Sequence, residues 1–144
     1  MSWKDTYKVW QERTDLEPDL KQELAAMSDD KEIEDAFYGP LSFGTAGMRG
    51  LMGPGINRMN VYTVRQATEG LATLMDSLGD DIKKRGVAIG YDSRHNSRKF
   101  AHDAARVLGA HGIKVYIYDN LRPTPELSFA VRHMGTYAGI MITA

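Results

Sequence analysis

The hydrophobic positions of the chain predict helices that alternate with short strands from residue 64 onward. An apolar face with helical spacing covers 64–78 and consists of Val64, Ala67, Leu71, Leu74, Met75 and Leu78. Further helices are predicted over 97–109 and 124–135, each ending at a glycine. Apolar runs at 87–91, 115–118 and 138–143 predict strands, and we expect the last one to be buried on both faces.

The order strand–helix–strand–helix–strand predicts βαβ units, in which parallel strands are joined by right-handed crossovers. Helices then cover both faces of the sheet. We therefore predict an α/β fold: a three-layer α/β/α domain over 39–144, with a mostly parallel, mixed sheet of four strands.

Residues 1–38 have a different composition, since they are highly charged and contain no glycine. Two helical stripes occur here, one formed by Trp3, Tyr7 and Trp10 and one by Leu20, Leu24 and Met27. They predict an N-terminal extension of two amphipathic helices that pack on the rest of the protein. The alternative is a helix that docks on another protein.

The composition is that of a soluble globular protein and excludes several classes. A chain of 144 residues can form a core, and a formal charge of −1 leaves no basic field for nucleic acid or a membrane surface. The chain has no cysteine, which excludes disulfides and thiol chemistry. It contains neither a membrane-length apolar run nor a signal core, so we expect a cytoplasmic protein.

A glycine-rich segment at 42–50 is the first candidate site. Gly44, Gly47 and Gly50 are spaced by three, with Thr45 and Arg49 among them. Glycine lets a backbone approach an anion closely, and a guanidinium binds phosphate through two hydrogen bonds. The segment matches neither a Walker loop nor a dinucleotide-binding turn. The alternative is a tight turn before a hairpin through 53–55.

A second candidate site follows the predicted strand 87–91, where Asp92 and Arg94 lie at a strand–helix junction. Ligands usually bind at this end of parallel strands, and the helix N-terminus near Ser97 attracts phosphate. The alternative is an Asp–Arg pair that holds the turn, with Ser97 as a simple helix cap.

The remaining polar motifs favour structural roles. The Pro-Thr-Pro sequence at 123–125 predicts a rigid turn that starts a helix. The four histidines show no metal-ligand spacing, and no serine lies in a G-x-S-x-G turn that would indicate a catalytic triad.

Together these motifs resemble the α-D-phosphohexomutase superfamily, the phosphoglucomutase/phosphomannomutase enzymes. Residues 43–50 resemble the family's F-G-T-x-G-x-R-G segment, 90–94 its G-x-D-x-R loop, and 123–125 its P-T-P turn. Residues 138–144 resemble the strand that leads into T-A-S-H-N-P, whose serine carries the transferred phosphate. The sequence ends at the alanine before that serine. The resemblance therefore implies domain 1 of a four-domain enzyme, of the branch with phosphoglucomutases and phosphopentomutase-like enzymes.

The resemblance implies a function for the full-length protein. It would interconvert hexose 1-phosphate and hexose 6-phosphate, with glucose as the expected sugar, through a phosphoserine and a bisphosphate. Glucose 1,6-bisphosphate would be intermediate and activator, and Mg²⁺ would be bound by ligands outside this chain. The expected partners are the hexose phosphate and the remaining domains of the same polypeptide, with no nucleic acid and no membrane. The 144 residues alone are expected to be inactive.

The resemblance also assigns roles to individual residues. Arg49 is the expected catalytic residue, near the phosphoserine, and Thr45, Arg49 and Arg94 are expected to bind substrate. Gly44, Gly47 and Asp92 are expected to support the site. The competing hypothesis is a non-catalytic module that binds sugar phosphates or another protein. The missing glycine fingerprint disfavours a nucleotide-binding Rossmann domain.

Overall fold

The structure is a computed structural model that describes residues 1–144. It divides into two compact units, Met1–Thr63 and Val64–Ala144, which are described separately. The helices and strands, in chain order, are α1 (Trp3–Glu12), α2 (Pro18–Ala26), α3 (Asp30–Phe37), β1 (Phe43–Gly44), β2 (Gly47–Met48), α4 (Val61–Leu78), α5 (Asp80–Arg85), β3 (Val87–Tyr91), α6 (Ser97–Ala110), β4 (Val115–Ile117), α7 (Thr124–Met134) and β5 (Ala138–Ile142).

The first unit has a small aromatic core between its helices. Trp10 and Phe37 are both buried, and their rings meet edge to face at 5.6 Å. Tyr7 packs on the same Phe37 ring, and Met27 and Leu24 lie in the same cluster. Residues of both predicted helical stripes therefore face the core of this unit.

The first unit contains three helices where two were expected. The sequence of α3 is mostly charged, and only Ile33, Ala36 and Phe37 are buried. A stripe of three positions is short for detection by periodicity. The side chain of Asp29 caps this helix by accepting a hydrogen bond from the Lys31 N–H.

In the second unit, a parallel sheet has the order β4-β3-β5. Each outer strand pairs with the central strand β3, with Val87 opposite Val115 on one side and Ala138 on the other. Every residue of β3 is buried. Strand β5, expected to be buried on both faces, is only partly buried because it is an edge strand.

Helices cover both faces of this sheet, which confirms the α/β class and the layered arrangement. The side chains of Val87, Ile89 and Tyr91 pack with α4 and α6. On the opposite face, Gly90 and Gly139 allow α7 to lie close to the strands. A Cβ on Gly139 would lie 2.6 Å from the Val131 side chain.

The main sheet contains three strands, where four were expected. Strands β1 and β2 instead form a separate two-stranded antiparallel sheet. Each has only two residues, and a two-residue turn pairs them with one another, so they do not extend the parallel sheet.

The buried face of α4 agrees with the predicted one in part, because Val64 and Met75 are buried as expected. Leu74 and Leu78 are instead about half exposed, at 49% and 48%, whereas Thr68 and Ala72, which were not predicted, are buried. Thr68 satisfies its hydroxyl by donating to the carbonyl of Val64 in its own helix, 2.7 Å away. A threonine can therefore lie in the buried stripe, and a count of apolar residues alone selects the neighbouring face.

Candidate functional site

The glycine-rich segment forms a hairpin of its own. Phe43 pairs with Met48 and Gly44 with Gly47, which leaves Thr45 and Ala46 at the tip. Gly47 has φ = 99°, a conformation that residues with a side chain rarely adopt. The turn therefore depends on this glycine, and the hairpin lies at 43–48, not through 53–55.

Arg49 follows this hairpin with its side chain exposed. Its guanidinium has no hydrogen-bond or ion-pair partner in the chain, unlike Arg58, which pairs with Asp35 at 2.7 Å. Thr45 is also exposed at the tip. An unpaired guanidinium beside exposed backbone can bind a phosphate through two N–H groups.

A buried asparagine that the sequence analysis missed organises the next loop. Asn60 is 1% exposed, and its side-chain amide donates to the carbonyls of Gly53 and Gly55, each at 2.9 Å. Its side-chain oxygen accepts the N–H groups of Tyr62 and Thr63 at the start of α4. The available signal was an asparagine shortly before an apolar helical stripe, because asparagine is favoured at helix N-caps.

In the second unit, the loop that follows β3 holds the backbone at the end of β5. The N–H of Asp92 donates to the Ile142 carbonyl at 3.2 Å, and the N–H of Asn96 donates to the Ala144 carbonyl at 2.8 Å. The Arg94 guanidinium donates to the carbonyl between them, that of Thr143, at 3.0 Å. The two strand ends are therefore joined by hydrogen bonds at the carboxyl edge of the sheet.

Arg94 makes the predicted pair with Asp92. The side-chain Nε of Arg94 lies 3.5 Å from one carboxylate oxygen of Asp92. The backbone N–H of Arg94 donates to the other carboxylate oxygen at 3.0 Å. The Arg94 side chain is nonetheless 65% exposed. The pair holds the turn, as the structural alternative predicted, and part of the guanidinium still faces solvent.

Ser97 is not a simple helix cap. The N-cap position of α6 is Asn96, which makes no side-chain capping bond. Ser97 is fully buried, and its hydroxyl lies 2.6 Å from an oxygen of Asp92 and 2.7 Å from the Ala144 nitrogen.

The turn at 122–126 reaches the same edge of the sheet. The N–H of Arg122 donates to the carbonyl of Tyr91 at 3.0 Å, and its guanidinium pairs with Glu126 at 3.3 Å. Pro123 and Pro125 flank the first residue of α7. This is the rigid, helix-starting turn that the sequence predicts.

The four histidines lie apart from one another, and His111 has carboxylate neighbours. No group of three or more histidine, aspartate or glutamate side chains could hold an ion. His111 instead contacts Asp76 through one ring nitrogen and Glu69 through the other, the latter at 2.8 Å.

None of the helices has both the length and the apolar composition that a membrane-spanning helix needs.

The second unit is a layered α/β domain with loops gathered at the carboxyl edge of its sheet. The first unit carries a glycine-rich hairpin that is followed by an exposed arginine. The sequence profile of the phosphoglucomutase/phosphomannomutase α/β/α domain I matches residues 40–144. The chain therefore belongs to the phosphoglucomutase/phosphomannomutase family, as its domain I.

Curated relatives agree with this assignment. The chain is 42% identical over 136 residues to a phosphoglucomutase of Staphylococcus saprophyticus, which is 94% of this chain and 24% of that protein. It is 46% identical over 111 residues to a phosphoglucomutase of Staphylococcus haemolyticus, covering 77% of this chain and 20% of that protein. It is also 37% identical over 139 residues to the phosphopentomutase of Homo sapiens, covering 92% and 23%.

The chain thus spans less than a quarter of the length of these relatives. No solved structure is significantly similar to it.

Proposed function

We propose that this chain is the first domain of a phosphosugar mutase that interconverts glucose 1-phosphate and glucose 6-phosphate. The observation that carries the proposal is the family match over 40–144, which includes both the hairpin with Arg49 and the loop after β3. The relatives named phosphoglucomutase, 41% to 46% identical, support a hexose as the sugar.

In the proposed reaction, a phosphoserine outside this chain transfers its phosphoryl group to the free hydroxyl of the sugar phosphate. A bond forms between the hydroxyl oxygen and phosphorus, and the bond from phosphorus to the serine oxygen breaks. The proton lost by the sugar balances the proton gained by the serine. The glucose 1,6-bisphosphate then reorients and returns its other phosphoryl group to the serine.

Phosphoryl transfer depends mainly on positioning and on neutralising the phosphate oxygens. Arg49 is the group of this chain that we assign to that neutralisation, since its guanidinium is exposed and has no partner in the chain. The hydroxyl of Thr45, at the hairpin tip, donates a hydrogen bond to the phosphate. Gly44 and Gly47 shape that hairpin, in which Gly47 has a left-handed backbone.

Asp92 and Arg94 act at the strand end. Asp92 supports the backbone that leads to the phosphoserine, and the exposed part of the Arg94 guanidinium contributes to substrate binding. The hydrogen bonds from this loop to the carbonyls of Ile142 and Thr143 support the first role, and the 65% exposure of Arg94 supports the second.

Mg²⁺ belongs to the proposal only for the full-length enzyme. The acidic and histidine residues of this chain form no group that fits the ion. When bound elsewhere in the enzyme, Mg²⁺ would neutralise charge on the phosphate oxygens. The proposal also includes association of this domain with the other domains of the polypeptide and a cytoplasmic location.

Pentose phosphates are the second candidate substrates. The human relative that covers 92% of this chain is a phosphopentomutase, which supports a reaction between pentose 1-phosphate and pentose 5-phosphate. The chemistry assigned to Arg49 would be unchanged, because a phosphoryl group is transferred in both cases.

The test is an activity assay of the full-length protein on glucose 1-phosphate, mannose 1-phosphate and ribose 1-phosphate, with Mg²⁺ and the matching bisphosphate. If kcat/KM is highest for glucose 1-phosphate, the result supports a hexose phosphate as the substrate. If kcat/KM is highest for ribose 1-phosphate, a pentose phosphate replaces the hexose phosphate as the proposed substrate. No turnover of any of the three refutes mutase function.

Calorimetry of the 144-residue chain with glucose 1-phosphate separates the domain from a binding module. Negligible binding is expected if the substrate needs the other domains as well. Saturable, tight binding by this chain alone would favour the module.

A further inference from the structure

The hydroxyl of Ser97 joins two loops at the carboxyl edge of the sheet. Its oxygen lies 2.6 Å from Oδ1 of Asp92 and 2.7 Å from the backbone nitrogen of Ala144. Ser97 is fully buried, so water does not compete for either contact. Its two partners are 5 and 47 residues away in the sequence.

The direction of these hydrogen bonds follows from the chemistry of the groups. A carboxylate only accepts, and a serine hydroxyl has a single hydrogen to give. Two acceptors lie within reach of that hydrogen, the Asp92 carboxylate at 2.6 Å and the Ala144 backbone oxygen at 3.0 Å. The carboxylate is nearer and charged, so it takes the Ser97 hydrogen, and the lone pairs of the hydroxyl oxygen accept the Ala144 N–H. Asp92 in this way sets the orientation in which Ser97 meets the backbone of Ala144.

The same loop holds the neighbouring peptide groups. The carbonyl of Ala144 accepts the N–H of Asn96 at 2.8 Å, so Ala144 is bound on both of its backbone groups. The Thr143 carbonyl accepts from Arg94 at 3.0 Å. We call Asp92, Arg94, Asn96 and Ser97 the strand-end clamp.

We propose that Ser97 is a positioning residue for phosphoryl transfer: through the Ala144 N–H it sets the position of the peptide that carries the phosphorylated serine. This rests on the proposed function and on the resemblance of 138–144 to the family strand that leads into the phosphorylated serine. Unlike Arg94, Ser97 is buried and acts only through the backbone it holds. A displacement of about 1 Å at a reacting group costs on the order of 100-fold in rate, so a single buried hydrogen bond can matter here.

The first experiment measures amide hydrogen exchange in the 144-residue chain, with Ser97→Ala as the test variant. Thr68→Val is the matched control, because it removes a buried hydroxyl that bonds only within its own helix. The clamp predicts that exchange of the Ala144 N–H accelerates at least about tenfold in Ser97→Ala, while amides of β3 keep their protection. An unchanged Ala144 rate in a folded Ser97→Ala variant overturns the clamp, whatever the enzyme does.

The second experiment measures steady-state kinetics of the full-length enzyme. The proposal predicts that Ser97→Ala lowers kcat by roughly 10- to 100-fold while KM for the sugar phosphate changes little, since no substrate contact is lost. Ser97→Thr, which keeps the hydroxyl, restores part of kcat, and Thr68→Val leaves kcat at the wild-type value.

The outcomes separate this inference from the proposed function. A wild-type enzyme without mutase activity refutes the proposed function and, with it, the role of Ser97 in phosphoryl transfer. An active wild type with an unchanged kcat in Ser97→Ala overturns the positioning role alone. If Ser97→Ala does not fold, Asp92→Asn replaces it, because the amide keeps the shape of the clamp but loses the charge that orients Ser97. A normal kcat in that variant counts against the proposal.

Discussion

Asn60 and Thr63 cap one another at the start of helix α4. The side-chain oxygen of Asn60 accepts the Thr63 N–H at 3.0 Å, and the Thr63 hydroxyl accepts the Asn60 N–H at the same distance. This reciprocal pair satisfies two backbone donors that a helix leaves free at its N-terminus. Because Asn60 also binds the carbonyls of Gly53 and Gly55, it fixes the loop before the helix as well.

We expect Asn60→Ala to lower the free energy of unfolding by about 2 to 4 kcal/mol, because the helix loses its cap and the buried carbonyls of Gly53 and Gly55 lose their hydrogen-bond donor. Asn60→Asp keeps the capping oxygen but places a second carboxylate oxygen against the carbonyls of Gly53 and Gly55 in a buried site, so its effect should be at least as large. Urea unfolding of the 144-residue chain measures both. Asn120→Ala, at an exposed site, is the control, and an Asn60→Ala effect as small as that of the control contradicts the assignment.

Gly55 and Gly70 allow the effect of an added side chain on stability to be compared at a crowded and at an open position. A Cβ on Gly55 would overlap the carbonyl oxygen of Ala36, and Gly55 has φ = 127°. Gly70 lies in α4 with nothing within 4 Å of such a Cβ. Gly55→Ala should destabilise the chain by more than about 1 kcal/mol, whereas Gly70→Ala should stabilise it by about 0.5 to 1 kcal/mol.

Thermal unfolding of the two glycine variants under one condition tests this pair. The prediction concerns the sign of each change, so equal shifts of Tm in the same direction would show it to be wrong.

His111 links the pH to the stability of the second unit. Hydrogen bonds to Asp76 and then Glu69 raise the pKa of His111, and bonds from Lys83 and His111 lower the pKa of Asp76. Because the pKa of His111 is raised in the folded state, its contribution to the free energy of unfolding is complete when the pH is below the ordinary histidine pKa of about 6.5. That contribution is lost as the pH rises through the pKa of the folded state. The Asp76 contribution is instead lost in acid, as pH falls below its ordinary value of 3.8.

The variant His111→Gln should therefore have a lower Tm than the wild type at about pH 5.5, and the difference should shrink at about pH 8.5. His133→Gln is the control, because His133 stacks on Phe129 and meets no carboxylate. A difference that grows with pH would contradict the assigned sign.

Arg49→Ala separates catalysis from stability. Because Arg49 is exposed and has no partner in the chain, the free energy of unfolding should change by less than about 0.5 kcal/mol. In the full-length enzyme, kcat should fall by about 100- to 1,000-fold, since one group that stabilises developing charge is removed. Arg132→Ala, an exposed arginine on α7 without an ion pair, should leave both quantities unchanged. Near-normal turnover of Arg49→Ala would remove Arg49 from the catalytic residues.

The second unit was predictable from sequence where the pattern is local. The run 87–91 is strand β3 with the expected bounds, and the helices over 97–110 and 124–134 lie within a residue or so of their predicted ends. Glycines and prolines mark these ends through their own backbone preferences, without help from distant residues. The short helix α5 lacks any buried residue and therefore gave no periodic signal.

Several features of the site were not predictable in this way. The hydroxyl of Ser97 resembles a helix cap in the sequence, and only the contact with Ala144, 47 residues away, shows its other use. The same holds for Asn60, whose partners include two carbonyls of a preceding loop. In each case the side chain is polar and short, and its partner is set by which backbone lies next to it.

By itself, the sequence determined the order of strands and helices from β3 to β5, the α/β class and the two polar segments at 42–50 and 90–94, because these depend on periodicity and on neighbouring residues. The tertiary structure decided the rest. It buried Thr68 on α4 and left Leu74 half exposed, placed β5 at the edge of the sheet and left Arg49 free while engaging Arg94. The physical reason is that burial and hydrogen-bond partners are properties of the packed chain, where residues far apart in sequence compete for the same neighbours.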